Sequence, residues 1–268
     1  MHVILSLFPG IGLLDRAFEE IFVGEACIVR GPDLLWGGDI RRFHVPRGVF
    51  WGVIGGPPCQ MFSRLANLVR ANGHEPRFGN LIPEYERVVA EAAPAWFLME
   101  NVPAAPVPVV DGYEVREIML DNRWVGGEQM RKRRFSFGTR DGRPLAVDYV
   151  ALEEPVAFET VISGNGFGND SEYYKRVGQA VISGAPPLIG GSGKIKRTAT
   201  TVTSSDGGGS VKMVRYSIGE ATRLQGLSED FLADAPFTKG GKLKAIANGV
   251  PLPMGRAIAK AVKAAIVA

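Results

Sequence analysis

The chain has 268 residues, 46% of them hydrophobic, and a formal net charge of +3, enough for one large domain or a large and a small one around a real core. Its two cysteines lack Cys-x-x-Cys spacing and its three histidines are scattered, which excludes a disulfide framework and gives no metal site. No apolar run approaches the ~20 residues of a membrane span, and Met1-His2-Val3-Ile4-Leu5 has no basic leader before Pro9-Gly10, so the expectation is a cytoplasmic protein without a membrane partner.

In chain order, Val3 to Leu7 reads as a buried strand that runs into Phe8-Pro9-Gly10-Ile11-Gly12. Leu13, Leu14, Ala17, Phe18 and Ile21 then recur three and four apart, as one buried helix face requires. A second strand is expected at Ala26 to Val29, with Cys27 a small apolar residue inside it, followed by Gly38-Asp39-Ile40. The third apolar run, Trp51 to Ile54, meets Gly55-Gly56-Pro57-Pro58-Cys59-Gln60, a proline-stiffened turn that presents one thiol and keeps side-chain bulk away from the main chain. Residues 61–80 carry Gly73, Pro76 and Gly79 among polar residues, the composition of a surface loop placed to act as a lid after the thiol. Glu84 to Ala93 is a helix ended by Pro94, and Trp96 to Met99 a strand delivering Glu100-Asn101-Val102. Strand and helix alternate in this way up to about residue 143, which predicts an α/β fold with a largely parallel sheet covered on both faces.

The character changes after Pro144. From Ser163 to Ser210 there are 11 glycines in 48 residues, so loops and short strands are expected there. Helical pattern resumes at Ser217, and Met254 to Ala268 reads as a final helix with Ile258, Ala259, Val262 and Ile266 towards the core. Net charge says little, but seven basic residues stand between Arg123 and Arg143 against Glu128 and Asp141, and five between Lys194 and Arg215 against Asp206. Local excess of this kind suits a phosphate backbone, with salt-dependent binding, as well as a solvated basic face.

Pro58-Cys59-Gln60 followed by Glu100-Asn101-Val102 resembles the DNA cytosine-5 methyltransferases in residues, order and spacing. The likeness extends to Ser6-Leu7-Phe8-Pro9-Gly10-Ile11-Gly12, to Gln129-Met130-Arg131-Lys132-Arg133-Arg134, and to Ala221-Thr222-Arg223-Leu224-Gln225-Gly226 with Asn248-Gly249-Val250. It covers nearly the whole chain except about residues 145 to 197. The resemblance implies a Rossmann-like methyltransferase sheet flanked by helices over 1–144, a small irregular β-rich target-recognition domain over 145–215, and a segment, 216–268, returning to the first domain. It implies S-adenosylmethionine as cofactor, held by Phe8, Gly10, Gly12, Asp39, Ile40, Pro57, Leu81, Asn248 and Val250, with Asp33 or Glu25 on the ribose. Duplex DNA is the implied partner, contacted by Gln60, Ser63, Arg64, Arg197, Thr201, Thr203 and Arg223. A monomer is expected, and the residues do not tell whether a cognate restriction enzyme accompanies it.

The chemistry explains why these residue types belong together. Cytosine C5 is a poor nucleophile until a thiolate adds at C6; by resemblance Cys59 supplies it while Glu100 holds the N3 and amino edge. Arg133 is then expected to position Glu100, and Arg131 to share its strand face, since strand side chains alternate with period two. A free thiol has a pKa of about 8.5, so the arginines are the available source of charge to favour the thiolate. C6 lies within the stack, so a duplex substrate must flip its cytosine out at a cost of a few kcal/mol. Three other readings share parts of the pattern: a tRNA-type cytosine-5 methyltransferase, a small-molecule methyltransferase, and a catalytically silent nucleic-acid-binding relative.

Overall fold

The computed structural model describes residues 1–58, 61–62, 79–129, 131–150 and 217–267, together with the backbone of two strands at 196–200 and 211–215. Cys59, Gln60, Ser63, Arg64, Thr201, Thr203 and the side chain of Arg197 lie outside them, as do most of the expected lid and of the glycine-rich stretch.

Six strands form one mixed sheet in the order β2-β1-β3-β4-β6-β5. β1 (His2–Leu7), β2 (Ala26–Arg30), β3 (Gly52–Gly55) and β4 (Trp96–Asn101) run parallel. β6 (Lys132–Thr139) lies antiparallel between β4 and β5 (Glu114–Asp121). The central strands β3 and, up to Met99, β4 carry no polar side chain because both their faces are buried. Ile4, Ile54, Trp96, Leu98, Phe135 and Phe137 face α1 (Leu13–Ile21) and the last helix. The alternate residues Leu5, Leu7, Val53, Phe97 and Met99 face α2 (Ile82–Ala92). Tyr85 of α2, fully buried, donates its hydroxyl to the Leu98 carbonyl at 2.9 Å and so pins that helix to β4. Gly52 is required by packing: a Cβ there would stand 2.2 Å from the Trp96 ring.

The closing segment is helical, as its periodicity requires: α3 (Ile218–Leu224), α4 (Lys239–Asn248) and α5 (Leu252–Val267). α3 opens on a capping box in which Ser217 Oγ accepts from the Glu220 amide while the Glu220 carboxylate accepts from the Ser217 amide. α5 lies along α1, with Met254, Ile258, Ala259 and Val262 in the core. The remaining pair, β7 (Lys196–Thr200) and β8 (Val211–Arg215), forms an antiparallel ribbon that matches the expectation of short strands in the glycine-rich region.

Three details depart from the sequence reading. β5 was not foreseen, because its alternation is mostly of charged and half-buried residues at a sheet edge. Residues just past 144 still pack with the first unit: Leu145 and Val147 lie against its core and the Val150 amide bonds to the Trp124 carbonyl at 2.9 Å. Cys27 is only half-buried, since β2 is an edge strand, and its Sγ lies 3.6 Å from the His2 carbonyl oxygen. Among the described residues no helix is long and apolar enough to cross a membrane, and no cluster of His, Cys, Asp and Glu could hold a metal.

α1 and α5 are clasped at the surface by Arg256, whose Nε and Nη2 donate to the two oxygens of Glu20 at 2.6 and 3.3 Å. The Arg256 hydrogen bond holds the Glu20 carboxyl below its ordinary value of 4.5. A depressed folded-state pKa contributes stability that is present above the unfolded value and is lost as pH falls through the folded one. Arg256→Met is therefore expected to lower Tm by about 1 to 3 °C near neutral pH. Thermal melts of the two proteins should converge on acidification below that range; a gap that persists there would contradict the assignment.

Candidate active site

Because β1 to β4 are parallel, their carboxyl ends all open on one edge. The chain leaves β1 for β2 on one side and reaches β3 on the other, so β1 and β3 flank the topological switch point, where open α/β sheets receive ligands. The expected cofactor loop follows β1 there, and the Gly-Gly-Pro-Pro arm follows β3.

On the β1 side the loop is held from below. Gly10 is fixed through both its peptide groups: its amide donates to Asp33 Oδ2 at 2.8 Å, and its carbonyl accepts from Trp36 Nε1 at 2.8 Å. Gly10 and Gly12 have φ of 59° and 78°, the left-handed region open to glycine, and Phe8, at 56°, adopts it without that freedom. Phe8, Ile40 and Leu81, expected as cofactor contacts, come together in one apolar cluster against which Phe62 packs. Asp39 caps a short 3₁₀ turn, its Oδ1 accepting the Arg41 amide and Nε at 3.1 and 2.9 Å, and the Arg41 side-chain hydrogen bond lowers its pKa. Beneath the loop, buried Asp15 accepts from Ser6 Oγ and, at 2.7 Å, from Arg30 Nε, an arrangement the sequence reading missed. An acid on the apolar face of an amphipathic helix was the available signal.

Both acids expected on the ribose have partners within the protein. Asp33 accepts Gly10 N on one oxygen and Leu35 N, at 2.6 Å, on the other, which makes it a support of the glycine loop. Glu25, the alternative ribose acid, precedes β2 at the opposite edge of the sheet, where it pairs with Lys263. A five-residue strand at about 3.3 Å per residue separates it from the loop.

On the β3 and β4 side the expected pairing is present. Glu100 Oε1 lies 2.7 Å from Arg133 Nε, with both side chains largely buried. The second oxygen, Oε2, faces the arm: a Cβ on Gly56 would stand 3.0 Å from it. Asn101 Nδ2 donates to the Pro57 carbonyl at 3.1 Å, tying that arm to β4 two residues before Cys59. Arg131 goes elsewhere: its Nη2 donates to the carbonyls of Ala247 and Gly249 at 2.6 and 3.2 Å. It follows the same strand face as Arg133 but supports the closing turn, not the Glu100 carboxylate. That turn meets α1: a Cβ on Gly249 would stand 2.6 Å from Leu13 Cδ1, next to Gly12. Val250 is buried there, whereas Asn248 and, on α3, Arg223 are exposed.

The basic excess between Arg123 and Arg143 is not the free phosphate-binding face that its density suggested. Arg123 pairs with Asp121, Arg133 with Glu100, and Arg143 with Asp141. Arg134 donates to the carbonyls of Pro103 and Ala105, and Arg140 covers the Tyr113 ring at 3.9 Å. Exposed Lys132 lies over the Trp124 ring.

Residues 38–106, which include Asp39, Pro57, Cys59 and Glu100, match the family model described as C-5 cytosine-specific DNA methylase. The Type II methyltransferase M.HgiDI of Herpetosiphon aurantiacus is 28% identical over 79% of this chain and 72% of its own length. M.NgoPII, a Type II methyltransferase of Neisseria gonorrhoeae, is 30% identical over 51% of this chain, and the match spans about half (48%) of that relative. In architecture the chain is similar to the Entamoeba histolytica methyltransferase EhMeth, with a TM-score of 0.63, 13% identity and 99% of each chain covered.

Removing one member of a buried ion pair leaves the other charge without compensation. Arg133→Ala is expected to destabilise the fold by about 2 to 4 kcal/mol in denaturant unfolding, a little under the range for fully buried pairs. Combined with Glu100→Gln, which removes the stranded charge, the cost should shrink; additive costs would show that the two side chains do not act as a pair.

Proposed function

We propose that the chain is a member of the C-5 cytosine-specific DNA methylases, which its residues 38–106 match, and that it transfers a methyl group from S-adenosylmethionine to C5 of a cytosine flipped out of duplex DNA, through a covalent bond between Cys59 and C6. The observation that carries this reading is the carboxyl edge itself. Glu100 is held on one oxygen by Arg133 and turns the other towards Gly56, while Asn101 holds Pro57, so the acid and the arm leading into Cys59 are fixed to one another.

The loop Phe8 to Gly12 suits a nucleoside ligand: it is clamped at Gly10, opens at the switch point, and has an apolar floor of Phe8, Ile40 and Leu81 with the Asp39 carboxylate at its rim. Side-chain bulk is absent where a ligand would approach, since a Cβ at Gly10 would meet nothing within 4 Å. Gly12, Pro57, Asn248 and Val250 complete the surround. When bound there, S-adenosylmethionine supplies an electrophilic methyl on its sulfonium.

The chain's own groups do the rest. Cys59 adds as thiolate to C6, which raises electron density at C5. Glu100 Oε2 engages the N3 and amino edge of the base, and Arg133 keeps that carboxylate from turning away. Once C5 carries the methyl, its proton leaves to a base, the C6–S bond breaks and the thiolate is regenerated. Gln60, Ser63 and Arg64 follow the nucleophile, Arg197, Thr201 and Thr203 belong to the proposed recognition region over 145–215, and Arg223 comes after it; these are the proposed DNA contacts. With the 123–143 arginines committed internally, the ribbon β7–β8, with Lys196, Arg197, Lys212 and Arg215 in its strands, is the region from which phosphate binding is expected.

Transfer of labelled methyl from S-adenosylmethionine to unmethylated duplex DNA, with tRNA as the parallel acceptor, tests the proposal. Labelling of DNA should fall by roughly 10³-fold or more in Cys59→Ser while duplex binding persists. Labelling of tRNA alone would move the substrate to RNA, and labelling that survives the substitution would exclude the covalent route.

A further inference from the structure

Between the proposed base site and the proposed cofactor site lies a buried set of polar side chains with no part in the chemistry above. Gln129 and Gln225 are fully buried and Arg131 nearly so. Gln129 Nε2 donates to the Leu224 carbonyl at 2.8 Å and to Gln225 Oε1 at 3.2 Å. Gln225 Nε2 in turn donates to the carbonyl of Ile246 at 2.6 Å and, more weakly, to that of Gly249 at 3.4 Å. Arg131 reaches the same turn through the Ala247 and Gly249 carbonyls. These acceptors include carbonyls at the ends of α3 and α4, the groups a helix terminus leaves without internal partners. The main chain of Gln225 contributes too, its carbonyl accepting the Leu252 amide at 2.8 Å at the start of α5. One residue thus fastens the end of α4, the start of α5 and, through Gln129, the approach to β6.

The strand side matters because of where it leads. The Arg131 carbonyl accepts the Asn122 amide at 3.0 Å, and β6 pairs with β4 only from Arg134 onward. Ahead of that point the β4 side of the strand is held by the side-chain contacts of Gln129 and Arg131 with the closing segment. Arg133, which orients Glu100, sits in this stretch.

We propose that Gln225 is a positioning residue that couples the closing turn at Asn248-Gly249-Val250 to the Glu100–Arg133 pair, so that filling the cofactor site firms the acid that will hold the base. This rests on the reading that the turn borders the cofactor. It commits Gln225 to a role that neither ligand contact nor core packing supplies.

The test is backbone hydrogen exchange of the full chain with and without S-adenosylhomocysteine, in wild type, Gln225→Met and Gln225→Glu. Methionine keeps the volume without the hydrogen bonds; glutamate keeps the acceptor for Gln129 but loses the donor to Ile246. In wild type the ligand should slow exchange both at 248–250 and at 131–135. In both variants protection at 248–250 should remain while that at 131–135 falls about tenfold, within the usual range of coupling between sites. Purely structural support would be lost equally with and without ligand, and so would not remove this difference. Undiminished protection of 131–135 in the variants, or none in wild type despite ligand binding, would overturn the coupling and leave the proposed function standing. Failure of wild type to bind the ligand would overturn the cofactor reading and this inference together.

Discussion

The ion pair between Glu100 and Arg133 spans the border between the parallel and antiparallel parts of the sheet, and the rest of the site is arranged around it. A carboxylate at the end of a buried strand is costly unless a partner compensates its charge. β6 supplies that partner only because it runs antiparallel to β4 and overshoots its end, which puts Arg133 beyond Arg134, the residue opposite Asn101. The antiparallel insertion that interrupts an otherwise parallel sheet is therefore what makes an oriented acid possible at this edge.

From that pair outward, each support is a side chain holding backbone. Asn101 holds Pro57, Asp33 and Trp36 hold Gly10, and Arg131 with Gln225 holds the turn at Ala247 to Gly249. Loops at the carboxyl edge carry function in α/β folds, yet they lack the ladder hydrogen bonds that fix strands. Here buried polar side chains replace those bonds, and a satisfied network of this kind gives one geometry in place of several. The same economy explains the arginine-rich stretch from 123 to 143, where the charges serve internal carboxylates and carbonyls.

Much of this was legible in the residues. The apolar runs at Val3, Trp51 and Trp96 announced parallel strands because burial on both faces leaves no polar alternation, and the three-and-four spacing of Leu13 to Ile21 announced α1. Glu100 beside Arg133 followed from the motifs. Less legible was whatever depends on long-range pairing. β5 carries the pattern of an exposed edge, and charge density along the chain could not say that Arg134 and Arg143 turn to carbonyls 29 and 122 residues away. Glu25 and Asp33 stand on either side of β2 in sequence, and only strand direction tells which one reaches the glycine loop.

The claim on which the account turns is that the arm held by Asn101 delivers a nucleophile to C6 of cytosine. Duplex DNA bearing 5-fluorocytosine tests it most directly, because fluorine at C5 cannot leave as a proton and so stops the reaction with the thiol still bound. Incubation with S-adenosylmethionine, denaturation and peptide mapping should give a protein–DNA adduct on the peptide that contains Cys59. DNA binding without a denaturation-resistant adduct, or an adduct mapped to another residue, would contradict the account.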